Sequence, residues 1–179
     1  MITIISDDQG QDIGRRLHEA ARAAGVPCAY FRANTMNVKP CLGCGSCGGK
    51  TFGRCVQRDD MEELLQSMVG GRGYVIVSPI RFGSFSAAAK RVQDRTCVLG
   101  DPHYRVRQGE LVKGSRGDSR PFFAVGVAGP GCDAQEQEAF RRLHAENLRI
   151  MDSAGRTFVL EENCPQAQVD AVVEAMRHG

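Results

Sequence analysis

Five apolar runs of strand length recur along the chain, and apolar residues return every three or four positions in the segments between them. The first run, ITIIS, is short and β-branched, as a buried strand is. In DIGRRLHEAARAAG, Ile13, Leu17, Ala20, Ala21 and Ala24 share one helical face and Gly25 supplies a stop. VPCAYFRA follows as a second strand. DDMEELLQSMV reads as a short helix capped by Asp59 or Asp60, with acidic residues in its first turn. GYVIVSPI is the most strand-like run, and Pro79 is expected to end it. SAAAKRVQDRTCVL is a helix, whereas Gly100 to Arg120 has no periodicity and reads as irregular, polar and basic. PFFAVGVAG is a fourth strand, DAQEQEAFRRLHAENLRIMDSAG a long helix closed by Gly155, and RTFVLEE and QAQVDAVVEAMRHG a fifth strand and a last helix.

Apolar strands alternating with amphipathic helices predict an α/β fold, a doubly wound parallel sheet with helices on both faces. Five such units suit the strand order 2-1-3-4-5, in which ligands bind at the carboxyl ends of the strands. Without an internal repeat or linker, residues 1–179 are expected to form one domain. A glycine-rich segment without periodicity, residues 40–58, is read as a loop inserted between the second strand and the helix after it.

Composition narrows the function classes. Hydrophobic residues make up 42% and charged residues 25%, an ordinary globular balance. A formal net charge of +2 gives no reason to expect nucleic acid as a partner. MITIISDDQG carries no basic leader, and no apolar stretch is long enough to span a bilayer. The expectation is a cytoplasmic chain without a membrane partner, in a compartment that keeps thiols reduced. Its eight cysteines are then better read as ligands, small buried residues or redox centres than as a disulfide framework.

Four of them fall in the inserted loop with the spacing Cys41-x2-Cys44-x2-Cys47-x7-Cys55. Such a compact run can wrap its sulfurs around one face of a four-iron (4Fe-4S) cluster and bring in a fourth thiolate from a short return. Gly43, Gly45, Gly48 and Gly49 allow tight turns that aim amide donors at inorganic sulfide. Four thiolates also suit tetrahedral zinc, although zinc sites usually pair two separated knuckles. A loop of reactive or structural thiols is the third reading. Cys28, Cys97, Cys132 and Cys164 stand apart and are read as small buried residues.

From Pro40 to Arg95 the sequence resembles the NAD(P)H-dependent FMN reductase superfamily of flavodoxin-like proteins, and within it the iron–sulfur flavoprotein branch. Cys41, Cys44, Cys47, Cys55, Asp59, Asp60 and Met61 match that branch's C-x2-C-x2-C, fourth Cys and D-D-M in order. Pro79, Ile80, Phe82, Gly83 and Ser84 match a strand ending in x-P-I-x-F-G-S, and Lys90, Asp94 and Arg95 a helix ending in K-x-x-x-D-R. The resemblance implies FMN on the carboxyl edge of the sheet, a cluster that exchanges electrons with it, and homodimers or homotetramers that share flavin sites. An electron donor such as NAD(P)H or a reduced carrier of the ferredoxin kind is implied too. Pro79, Ile80, Arg81, Phe82, Gly83 and Ser84 are then expected along the isoalloxazine, with Arg81 standing where relatives commonly have Tyr. Val127 to Gln137, with Ala128 and Gly129, resembles a third flavin-contacting loop.

The first loop departs from the pattern. The superfamily's G-S-x-R-x-x-G-N-T is replaced by SDDQGQDIGRRL, where Ser6, Gln9 and Gln11 are the neutral polar groups for a phosphate. Asp7, Asp8 and Asp12 put negative charge there, which Coulomb repulsion opposes. The helix start after Gly10 offsets this through its N–H donors and dipole, and Arg15 or Arg16 could turn back toward the anion. Two functions are therefore expected from different classes. One is an FMN-dependent oxidoreductase or electron-transfer flavoprotein with a cluster and no assigned acid–base residue. The other is a flavodoxin-fold protein that has lost FMN and works as a metal-cluster or thiol-based subunit. Phe82 and Phe85 are the apolar candidates to neighbour a flavin, since the aromatic fraction is 6% and Trp is absent. Ser115 to Asp118, SRGD, is read as a chance match in a polar loop.

Overall fold

The computed structural model describes residues 1–7 and 12–179. The elements are β1 (Ile2–Ser6), α1 (Ile13–Ala23), β2 (Cys28–Arg32), α2 (Met61–Gly70), β3 (Gly73–Arg81), β4 (Ser84–Phe85), α3 (Ala87–Arg95), β5 (Arg105–Arg107), β6 (Glu110–Val112), β7 (Phe122–Ala128), α4 (Ala134–Met151), β8 (Thr157–Glu161) and α5 (Gln166–His178). The five main strands pair in parallel in the order β2-β1-β3-β7-β8. Numbered among themselves, they run 2-1-3-4-5, the flavodoxin-like order. No helix among the described residues is long and apolar enough to cross a membrane.

Because side chains alternate across a strand, each apolar strand feeds two cores. Ile5, Tyr74, Ile76, Phe122 and Ala124 pack with Met61, Leu64 and Met68 of α2, Ala89 and Val92 of α3, and Phe140 of α4. On the other face Ile2, Ile4, Val75, Val77, Phe123 and Val125 meet Ile13 and Leu17 of α1 and Val169, Val172 and Met176 of α5. This two-sided burial is why the strands read as continuous apolar runs.

Four local expectations change. Pro79 does not end β3, which continues to Arg81 with Pro79 opposite Val127. The Val77 carbonyl accepts from the Asp7 N–H on the β1 side at 2.9 Å. Two residues on, the N–H that proline lacks would point the same way, toward the Asp7 carbonyl just past the end of β1, so Pro79 ends the pairing with β1 while β3 runs on beside β7. The predicted third helix splits into α3 and a 3-10 turn, Thr96–Leu99. The stretch expected to be irregular holds a hairpin, β5–β6, turned by Gln108 and Gly109 at φ 52° and 81°, a two-residue turn of the type that suits strand twist. Arms of three residues are too short to show a period. Finally, α4 stops at Asp152 in left-handed geometry (φ 48°), ahead of Gly155. Gly155 serves a close approach instead, since a Cβ there would lie 1.8 Å from the Phe122 carbonyl oxygen.

Candidate functional site

The carboxyl edge of the sheet is built by the ends of β1, β3 and β7. After Arg81 the chain reverses through Phe82 and Gly83, both at positive φ (51° and 69°), and β4 folds back on β3 with Arg81 opposite Ser84. Gly83 is required twice over: its φ disfavours a side chain, and a Cβ would lie 2.6 Å from Ala139 Cβ on α4. The hairpin separates the two phenylalanines. Phe85 is buried edge-on against Phe140, with ring centroids 5.1 Å apart, whereas Phe82 is 96% exposed. Core packing therefore accounts for Phe85, and Phe82 stands open at the end of the central strand. Arg81 is exposed and Ser84 half-buried beside it, while Pro79, Ile80 and Ala128 are buried and Gly129 is half-buried.

Gln9 and Gln11, and with them Asp8 and Gly10, lie outside the described residues. Around them the expected cluster of open charge is partly dismantled. Ser6 is buried. Asp7 is 2% exposed and accepts a hydrogen bond from the Ser86 hydroxyl, which also caps α3 by accepting from the Ala89 N–H at 3.3 Å. Asp12 is paired at 2.8 Å with Arg15, which also holds Glu19. Arg16 donates to the Cys164 carbonyl at 2.9 Å and to Gln166. Among the described residues, Arg15 thus reaches back to Asp12 of the first loop, and Arg16 is held by the segment that leads into α5.

The cysteine loop is fastened from below. Asp59 and Arg95, 0% and 1% exposed, form a buried ion pair. Asp59 also accepts from the Lys39 N–H at 2.9 Å and the Met61 N–H at 3.2 Å, and Arg95 donates to the Lys39 carbonyl at 3.3 Å. Burial alone would raise the Asp59 pKa, but the guanidinium and the backbone donors outweigh it and hold the carboxyl below its usual range. Asp60 accepts from the Asn37 N–H at 2.7 Å. Both ends of the loop are thus tied to the start of α2 and the end of α3. The D-D-M and D-R signatures, separate in sequence, meet in one structural joint. A further clamp comes from Arg116, which donates to the Cys47 carbonyl at 3.3 Å and lies 3.9 Å from the centre of the Phe52 ring. The arginine of SRGD thus has a structural role that the sequence did not signal.

The loop wraps a cavity of about 640 Å³ lined by Cys41, Cys44, Cys47 and Cys55, with Arg95 and Lys113 supplying positive charge. The sequence-predicted four are brought to one space. Gly43 donates its N–H toward Cys41 Sγ at 3.5 Å, an amide-to-sulfur contact that the glycine-rich turns make possible. Hydrogen bonds from the Ser46 hydroxyl and N–H lower the Cys44 pKa, favouring the thiolate that a metal needs. No three His, Cys, Asp or Glu side chains among the described residues converge on a single ion position.

A fifth thiol was missed. Cys97, in the 3-10 turn after α3, is half-buried, faces the same cavity, and has its sulfur 3.8 Å from Cys47 Sγ. Burial, then the neighbouring Cys47 and Cys41, push its pKa up to about 12. Cys164 is buried as expected, and Cys28 and Cys132 are half-buried.

A doubly wound sheet with an open reversal after its central strand, and a thiol-lined cavity built by the cysteine loop, defines a flavodoxin-like α/β protein. The chain belongs to the NADPH-dependent FMN reductase family, whose sequence pattern matches residues 9–145. It is 28% identical over 89 residues to an iron-sulfur flavoprotein of Methanosarcina thermophila, covering 50% of this chain and 46% of that protein. It is also 28% identical over 120 residues to an iron-sulfur flavoprotein of Methanocaldococcus jannaschii, covering 67% and 54%. The chain thus spans about half the length of the curated relatives it matches. Among solved structures, an FMN-dependent NADH-azoreductase from Bacillus anthracis superposes with a TM-score of 0.63 at 13% identity, covering 99% of this chain and 97% of the other. A putative quinone reductase from Klebsiella pneumoniae gives 0.64 at 10% identity, covering 99% and 83%.

Proposed function

We propose that this chain is an FMN-dependent oxidoreductase or electron-transfer flavoprotein that also carries a four-iron cluster on Cys41, Cys44, Cys47 and Cys55. The observation that carries the reading is the gathering of these four thiols around one cavity, on a loop pinned by the buried Asp59–Arg95 pair. Membership of the FMN reductase family and the names of the flavoprotein relatives support it. When bound, FMN supplies hydride and single-electron chemistry and the cluster single-electron transfer. The chain's own residues position these groups. Arg81, Phe82 and Ser84 form the open wall at the end of β3, where Phe82 offers an apolar ring face and Arg81 a cation. Asp59 and Arg95 hold the ligand loop, and Gly43 donates toward a ligand sulfur. A nicotinamide donor, or a small iron–sulfur carrier, delivers electrons that pass to an unassigned acceptor. Assembly into a homodimer or homotetramer in the cytoplasm, where thiols stay reduced, belongs to the same proposal.

The flavin-free alternative rested on the acidic first loop. Asp7 is buried against Ser86 and Asp12 is paired with Arg15, so neither carboxylate stands as openly as that alternative supposes. The test is an absorption spectrum of protein purified without oxygen, with iron, sulfide and zinc assayed on the same sample. Flavin bands over a broad shoulder with stoichiometric iron and sulfide are expected, and Cys44→Ser should lose the shoulder while keeping the fold. Zinc in place of iron, or metal without flavin, would overturn the corresponding half of the proposal.

A further inference from the structure

Cys97 lies outside the four-cysteine spacing, yet it shares the cavity and its sulfur is in contact with that of Cys47. We propose that Cys47 and Cys97 form a reversible disulfide when no cluster fills the cavity, and that the bond withdraws Cys47 from the ligand set. The sulfurs stand 3.8 Å apart and a disulfide holds them at about 2.05 Å, so closure needs about 1.8 Å of movement. The local backbone can supply it. Cys47 sits in a single 3-10 turn, Ser46–Gly48, with Gly45 before it at φ 66° and Gly49 after it. The Cys97 turn, Thr96–Leu99, packs directly against this one. Neither thiol is committed to another disulfide. Cys41 also approaches Cys97 and is the rival partner.

With a low-molecular-weight disulfide as oxidant, the Cys47 thiolate attacks one oxidant sulfur and expels a thiolate. Cys97 then attacks Cys47 sulfur, giving up its proton to the departing small thiolate as the new S–S bond forms. The two protein thiols give up two protons and two electrons, and the oxidant takes them up as two small thiols. The bond itself needs no cluster, whereas its effect on iron loading rests on the function proposed above.

The experiment uses the full chain, purified without oxygen and stripped of iron by chelation, then equilibrated in mixtures of oxidised and reduced glutathione. Tandem mass spectrometry maps the cross-link, because Cys41, Cys44 and Cys47 share one tryptic peptide. Iron and sulfide uptake is measured before and after dithiothreitol. The expected result is a Cys47–Cys97 link, loss of most iron uptake in the oxidised chain, and recovery on reduction. Cys97→Ser, and Cys97→Ala as a second variant, should keep most of their uptake under the same oxidation. A link from Cys97 to Cys41, links confined to residues 41–55, or Cys97 variants that lose uptake as the parent does would each overturn the proposal. A chain that forms the Cys47–Cys97 link but takes up no iron even when reduced would support the bond and overturn the cluster.

Discussion

Replacing Asp59 with Asn leaves the Arg95 guanidinium buried without its counter-charge. Both side chains are essentially excluded from solvent, and removing one partner of such a pair costs about 3–5 kcal/mol. The asparagine oxygen can keep one of the two backbone bonds from Lys39 and Met61, while its amide group faces the other donor. In urea, with a slope of about 2 kcal/mol/M for a domain of this size, the midpoint should fall by roughly 1.5–2.5 M. Arg95→Met strips the charge from the other side. The double variant, which buries no unpaired charge, should be less destabilised than the two single effects summed. Cleavage by trypsin at Arg54 and Arg58 should accelerate in parallel, because the loop loses its anchor. The pH dependence has a definite sign. A carboxyl whose folded pKa is lowered stabilises the fold above its unfolded value, near 3.9, and that contribution fades as pH falls through the folded value. Parent and Asp59→Asn should therefore start to approach each other near pH 4 and converge only once pH has fallen through the lower folded value. Single variants costing less than about 1 kcal/mol, and adding without coupling, would refute the buried pair as the loop's anchor.

Buried His144, 1% exposed and hydrogen-bonded through Nδ1 to Thr157 at 2.7 Å, has its pKa lowered by burial to about 4. The folded state keeps it neutral while the unfolded chain protonates it, so stability should fall by about 3 kcal/mol between pH 6.5 and 4. In His144→Gln, urea titrations should show a flatter profile over that window. Gly83→Ala meets both a positive φ and Ala139, and should cost about 2–4 kcal/mol in thermal or urea unfolding. Phe82→Ala, by contrast, should leave the melting temperature unchanged and weaken FMN retention, read by flavin fluorescence on dialysis.

Periodicity made the sheet and its order legible because strands buried on both faces leave unbroken apolar runs, as Val75 to Val77 do. It failed where geometry depends on a neighbour. Whether Pro79 ends a strand depends on where β1 stops, and Gly155 marks an approach to Phe122 rather than the end of α4. That the four loop cysteines would share one space was legible from their spacing. Cys97 was not, because its place beside Cys47 follows from how the turn after α3 packs under the loop. Likewise Asp59 and Arg95 were visible as matched letters, but their joining is a tertiary contact between residues 36 positions apart. Asp7 carried the opposite lesson: a charge that looked open in sequence is enclosed by Ser86.

The same helix touches both candidate sites. Ser86 caps the start of α3 and holds Asp7 at the sheet edge, and Arg95 at its far end holds the cysteine loop. Nine helical residues make a rod of about 13 Å, so α3 acts as a spacer that fixes both length and phase. Adding or removing one residue would rotate Arg95 by about 100° around the axis, away from Asp59. Only a change near a whole turn would restore the alignment, and it would move the loop by about 5 Å relative to the edge. The interval between the two sites is therefore stepped, not continuously adjustable, and its step is the pitch of a helix.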